Sequence, residues 1–160
     1  MFEWITFAVA LAGLLLSAAI WIKDIISQRR DLRGRLLEVM ICADYMTAFI
    51  LLENRSRLSI AVTQIELQSG DLWIPCAQTP ECILTFRNNT EVYRRVYSNE
   101  LPIQIVGLGG SYAKLIFHHL PMIPEAASTH LTLRISTNRG KPFEISLQLP
   151  PDWADQRIIH

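Results

Sequence analysis

Hydrophobic and polar positions divide this chain into two regimes. From Trp4 to Ile22, nineteen residues pass without a charge. From Leu36 onward, short apolar runs alternate with polar positions and are separated by turn residues. The first regime predicts a helix and the second predicts strands.

A helix over Trp4–Ile22 would cover about 28 Å at 1.5 Å per residue, close to the roughly 30 Å hydrocarbon core of a bilayer. Thr6 and Ser17 are its only polar side chains besides the two terminal indoles. Trp4 stands near one end, and Trp21 and Ile22 close the other, where indoles favour the headgroup region. Residues 1–22 are therefore expected to form a single transmembrane anchor, with the lipid bilayer as the first partner. A cleaved signal peptide fits less well, because Met1-Phe2-Glu3 supplies an acidic side chain where a basic one belongs. A core helix would show a polar stripe. Residues 23–35 follow as a basic juxtamembrane segment, with Lys23, Arg29, Arg30, Arg33 and Arg35 against Asp24 and Asp31. The positive-inside rule then predicts a single-pass protein of the cell membrane, N-terminus outside and C-terminal domain cytoplasmic.

Residues 36–150 read as an all-β domain, an immunoglobulin-like β-sandwich of about nine strands, followed by a C-terminal tail over 151–160. The clearest hairpin pairs Leu131, Leu133 and Ile135 with Phe143, Ile145 and Leu147 across Thr137-Asn138-Arg139-Gly140-Lys141. Thr47 to Glu53 is apolar at nearly every position, as a central strand requires. Leu58, Ile60 and Val62 share one face, but the register then jumps to Ile65 and Leu67, which predicts a β-bulge near Thr63-Gln64. Further strands are expected at 37–44, 71–76, 83–87, 92–97, 101–105 and 112–118.

The turn segments Glu53-Asn54-Arg55-Ser56-Arg57-Leu58-Ser59-Ile60 and Thr137-Asn138-Arg139-Gly140-Lys141 resemble those of uncharacterised bacterial and prophage-type small proteins. Such proteins carry one N-terminal helix, a short basic segment and a small β-sandwich. The resemblance covers most of the chain and implies a fold, with no named activity attached.

Charge narrows the partners. The chain is formally neutral, with the excess of basic residues confined to the first 35, so nucleic acid is not expected as a partner. Three cysteines, Cys42, Cys76 and Cys82, do not make a disulfide framework. Cys76 and Cys82 could pair only in an oxidising space. Gly107-Leu108-Gly109-Gly110-Ser111 lacks the Lys-Ser/Thr pair and helix of a phosphate loop and reads as a turn. Ser111 is not in a nucleophile elbow. His118, His119 and His130 are the best metal candidates, but adjacent histidines on a strand face opposite ways, and no third ligand stands nearby. No catalytic residue, cofactor site or metal site is assigned. Tyr93, Arg95 and Tyr97 share one face of a strand. Tyrosines packed on the core are the first reading of that face, and a surface for a protein partner is the second.

The expected function is a membrane-anchored, non-catalytic interaction module that displays its sandwich at the cytoplasmic face and binds protein. The alternative is an extracytoplasmic surface or envelope binding domain, with a hydrolase or metal-dependent enzyme behind it. The sequence carries no signature of oligomeric state.

Overall fold

The computed structural model describes residues 2–27, 29–41, 45–88, 91–120 and 130–149. Cys42 and the tail 151–160 lie outside the described residues, as do some side chains within the elements, Tyr93 among them. One helix, α1 (Phe2–Ser27), precedes ten strands. These are β1 (Leu32–Ile41), β2 (Tyr45–Asn54), β3 (Ile60–Ser69), β4 (Leu72–Pro75) and β5 (Cys82–Asn88). They are followed by β6 (Glu91–Tyr97), β7 (Ile103–Ile105), β8 (Gly109–His118), β9 (His130–Thr137) and β10 (Phe143–Gln148).

The helix corrects the first expectation. Among the described residues no helix is long and apolar enough to cross a membrane. The apolar run of α1 ends in the charged Lys23 and Asp24. The single transmembrane anchor, the single-pass placement in the cell membrane and the cytoplasmic assignment derived from it are therefore overturned. Trp4, Trp21 and Ile22 are all exposed. The basic segment is not a separate unit either. The helix continues to Ser27, and β1 starts at Leu32 because Leu32 and Leu36 fall on one buried face, leaving Arg33 and Arg35 on the exposed one.

The remainder is mostly β, with ten strands in three sheets among the described residues where about nine in a two-sheet sandwich were expected. One sheet runs β1-β2-β8 and another β10-β9-β3-β4, with β7 also pairing β3. All the pairings are antiparallel. β2 is central, flanked by β1 and β8, and its Met46, Ala48, Ile50 and Leu52 are fully buried. Facing it across the core stand Ile65 and Leu67 of β3 and Leu133 and Ile135 of β9, in the same apolar cluster. Period-2 alternation thus becomes two inner faces meeting in one core. The register of β3 on β9 shifts between Val62 and Gln64, so the extra residue is Thr63. The hairpin of β9 and β10 forms in the expected register, with Gly140 at φ +78° in its turn.

Two side chains fasten the loops. Asn54, 1% exposed, sits where the β2–β3 and β7–β8 turns meet. Its Nδ2 donates to the carbonyls of Leu58 (2.9 Å) and Val106 (3.1 Å), while its Oδ1 accepts from Ser56 N (3.0 Å) and Ser56 Oγ (2.7 Å). Arg30 links the segment after the helix to the β9–β10 turn. It donates to Arg139 O (3.0 Å) and Lys141 O (2.5 Å), with its guanidinium 4.1 Å from the centre of the Phe143 ring.

Candidate functional site

The third sheet is the hairpin β5–β6, which pairs with neither of the others. Among the described residues none of β5 or β6 belongs to the core cluster, although Ile83 of β5 is buried. The hairpin is held by its foot. Ser98 N donates to Glu81 O and Glu81 N to Ser98 Oγ, each at 2.8 Å. On either side of the foot the chain is tied to the outer edge of β8. Ala77 N donates to Ile116 O (2.9 Å), Asn99 N to Lys114 O (2.8 Å) and Lys114 N to Asn99 Oδ1 (2.7 Å). These bonds occupy backbone groups that β8 would otherwise leave open as a sheet edge.

Beyond the foot the arm is largely solvent-facing. Thr85 and Arg95 oppose each other and are both exposed. Tyr97, opposite Cys82, is 46% exposed, so the first reading of this tyrosine as a core residue is wrong. On the other face Phe86 lies opposite Arg94, whose guanidinium is 5.8 Å from the ring centre, and Val92 is exposed. The Tyr93 side chain lies outside the described residues, so of the expected trio Arg95 and Tyr97 are placed on the arm's exposed surface.

At the foot of the arm lies a cavity of about 470 Å³ between β4 and the end of β8. Leu72, Trp73 and Ile74 form one wall; Glu81, His118 and His119 form the other, with Cys76 at the base. His118 Nε2 lies 2.6 Å from Glu81 Oε2. This bond spans 37 positions and carries no local signal, so sequence reasoning ranked His118 only as a metal candidate and missed Glu81. His118 and His130 fall in different sheets, so they do not come together on neighbouring strands. Among the described residues there is no group of three side chains able to hold a metal ion.

Cys76 and Cys82 are both free, the first buried and the second exposed. Burial pushes the Cys76 thiol from its usual 9.0 up to about 11, because a thiolate in apolar surroundings loses its hydration. At neutral pH the group is a thiol, not a nucleophile. The cavity thus pairs an apolar wall with one carboxylate–imidazole hydrogen bond, an arrangement suited to holding a ligand.

The expected basic cluster is divided by the fold. Arg29 and Arg30 share a second, open cavity with Arg139 and Gly140. Arg33 pairs with Asp31 at 3.8 Å, Arg35 points outward from β1, and Lys23 is exposed on the helix.

No family model matches the chain. No curated protein matches it either. Among solved structures it is similar to a GH20 exo-β-N-acetylglucosaminidase from Vibrio harveyi, in a complex with N-acetylglucosamine and in an inactive mutant. Each aligns at 8% identity with a TM-score of 0.27, over 76% of this chain and 18% of the enzyme. The chain therefore spans less than a fifth of the length of those enzymes, and so low a score carries no argument about activity.

Proposed function

We propose that this chain is a non-catalytic protein-binding module whose recognition element is the β5–β6 arm. One observation carries the reading: among the described residues the arm contributes none to the core cluster yet presents Phe86, Val92 and Tyr97 beside Arg94 and Arg95. A two-stranded hairpin is only marginally stable alone, and tyrosine and arginine are the types that anchor protein interfaces. An arm tied to β8 at its foot and exposed at Thr85, Phe86, Val92, Arg94, Arg95 and Tyr97 has the shape of a surface kept for contact.

The test is photo-crosslinking in the native cell, with a benzophenone amino acid placed at Tyr97 or, as a control, at Tyr112, which is exposed on β8. A discrete protein adduct from position 97, absent from position 112 and lost on Arg95→Glu, supports the reading. Equal adducts from both positions, or none from the arm, refute it.

A further inference from the structure

The cavity at the arm's foot borders a strand edge that pairs with no other strand among the described residues. β4 pairs with β3 on one side and ends the order β10-β9-β3-β4 on the other. The β3–β4 turn is Gly70-Asp71, with Gly70 at φ +61°, so Ser69 and Leu72 form the closing hydrogen-bonded pair of a two-residue hairpin. Antiparallel ladders alternate, which makes Leu67–Ile74 the next hydrogen-bonded pair. The bond from Cys76 N to Ile65 O at 2.9 Å continues that alternation. Trp73 and Pro75 therefore turn their backbone groups away from β3. Pro75 has no N–H to offer, so Trp73 alone presents both a donor and an acceptor on the open edge.

The edge is also held rigid. The Arg134 guanidinium lies 3.8 Å from the centre of the Trp73 ring and pairs with Glu144 at 3.2 Å and Glu66 at 4.0 Å. An edge fixed in place loses little freedom when another strand joins it. Leu72 is 59% exposed at the rim, and Ile74 and Cys76 line the interior. Glu81 supplies the lining's single carboxylate.

We infer that β4 and this cavity form a docking site for an extended segment of a partner protein. The segment adds as a strand to β4 through Trp73. It seats an apolar side chain over Ile74 and Cys76 and presents a lysine or arginine two positions along to Glu81. Addition of a strand to an open edge obtains affinity from the backbone and selectivity from alternate side chains. The spacing of two follows because residues i and i+2 of a strand share a face. This inference rests on the reading of the chain as protein-binding and names the chemistry of the partner, but it uses a surface separate from the exposed length of the arm.

The full chain is titrated with the blocked pentapeptide Thr-Ile-Thr-Lys-Thr and with a second in which glutamate replaces lysine, and is followed by amide NMR. Expected are shifts at Trp73, Ile74, Glu81 and His118, slowed hydrogen exchange at the Trp73 amide, and at least about threefold weaker binding of the glutamate peptide. Glu81→Gln should erase that difference between the peptides while leaving the slowed Trp73 exchange. No shifts up to about 5 mM peptide, equal binding of both peptides to the wild type, or unchanged exchange at Trp73 would each overturn the inference. Failure here with position-97 crosslinking intact removes the docking site alone. Loss of the crosslink with the peptide response intact removes the arm and leaves the docking site.

Discussion

Asn54→Asp changes one nitrogen to an oxygen and almost nothing in shape, so it isolates the hydrogen bonds that bring the β2–β3 and β7–β8 turns together. In the native protein the Nδ2 group meets the carbonyls of Leu58 and Val106 at 2.9 and 3.1 Å, with Ile105 O at 3.4 Å. An aspartate keeps the oxygen that accepts from Ser56 and places a second oxygen among those carbonyls. Each buried carbonyl that loses its donor costs about 1–3 kcal/mol, and a carboxylate facing carbonyls adds desolvation and repulsion. The expected loss at pH 7 is about 3–5 kcal/mol, a large share of the 5–15 kcal/mol typical of a domain. In urea, with a slope of about 2 kcal/mol/M, the midpoint falls by about 2 M. Protonation restores one O–H donor, so the fold raises the carboxyl's pKa above its unfolded value of about 3.9. The variant's deficit is then largest at neutral pH and shrinks as the pH falls. Tryptophan fluorescence during urea unfolding at pH 7 and pH 5 measures both effects. A loss below about 1 kcal/mol, the range of ordinary surface changes, would refute the account of Asn54 as the fastener.

Three further outcomes follow from local geometry. Thr47 is fully buried in β2, and its Oγ1 has no hydrogen-bond partner among the described residues. Thr47→Val should therefore raise stability by about 1 kcal/mol in thermal unfolding, because it removes an unsatisfied hydroxyl at constant shape. A Cβ on Gly107 would lie 1.9 Å from Arg57 O and 2.4 Å from Arg57 C. Gly107→Ala should cost at least about 3 kcal/mol, since backbone has to move, whereas Gly110→Ala, whose Cβ would meet only Leu52 O at 3.4 Å and Leu51 Cδ1 at 3.6 Å, should cost far less in the same melts. For Cys76, a folded pKa of about 11 against 9.0 means that its contribution is fully present below pH 9 and is lost as the pH rises towards 11, up to about 3 kcal/mol. Cys76→Ala should flatten the decline in stability over that window, and thiol labelling of the native protein at pH 7.5 should modify Cys82 well before Cys76.

Local patterns were legible because their causes are local. The β9–β10 hairpin follows from alternation on both sides of a turn whose Gly140 takes a positive φ. The bulge at Thr63 follows from a break in period within one strand. The central place of β2 follows from a run with no polar face. What stayed hidden depends on contacts between distant segments. Arg30 reaches carbonyls 109 and 111 positions away, and Glu81 meets His118 across 37. No spacing rule relates such pairs before the topology is known. The arm was read as two ordinary strands, because alternation reports that a residue pairs in a sheet and not which sheet it joins. The helix shows the opposite failure. Its apolar run was read as a membrane span from length and composition alone, and among the described residues no helix is long and apolar enough to cross a membrane.

The arm's independence from the core makes its foot decisive. Ser98 is 5% exposed, and its Oγ accepts from Glu81 N at 2.8 Å, while its own N–H closes the other side of the foot. Ser98→Ala removes the side-chain acceptor and leaves the part-buried Glu81 N–H without it, a local cost of about 1–2 kcal/mol. Because no described residue of the arm is shared with the core cluster, that cost should appear as opening of the arm and not as loss of the fold. Amide exchange across Cys82–Tyr97 should accelerate by about tenfold or more, while the exchange of Ile50, Ile65 and Leu133 stays as it was. The same opening frees Glu81 from its fixed position beside His118, so the preference for a lysine peptide over a glutamate peptide should weaken in parallel. Uniform acceleration through core and arm alike would show that the hairpin is part of the cooperative fold, and the case for it as a separate recognition element would go with it.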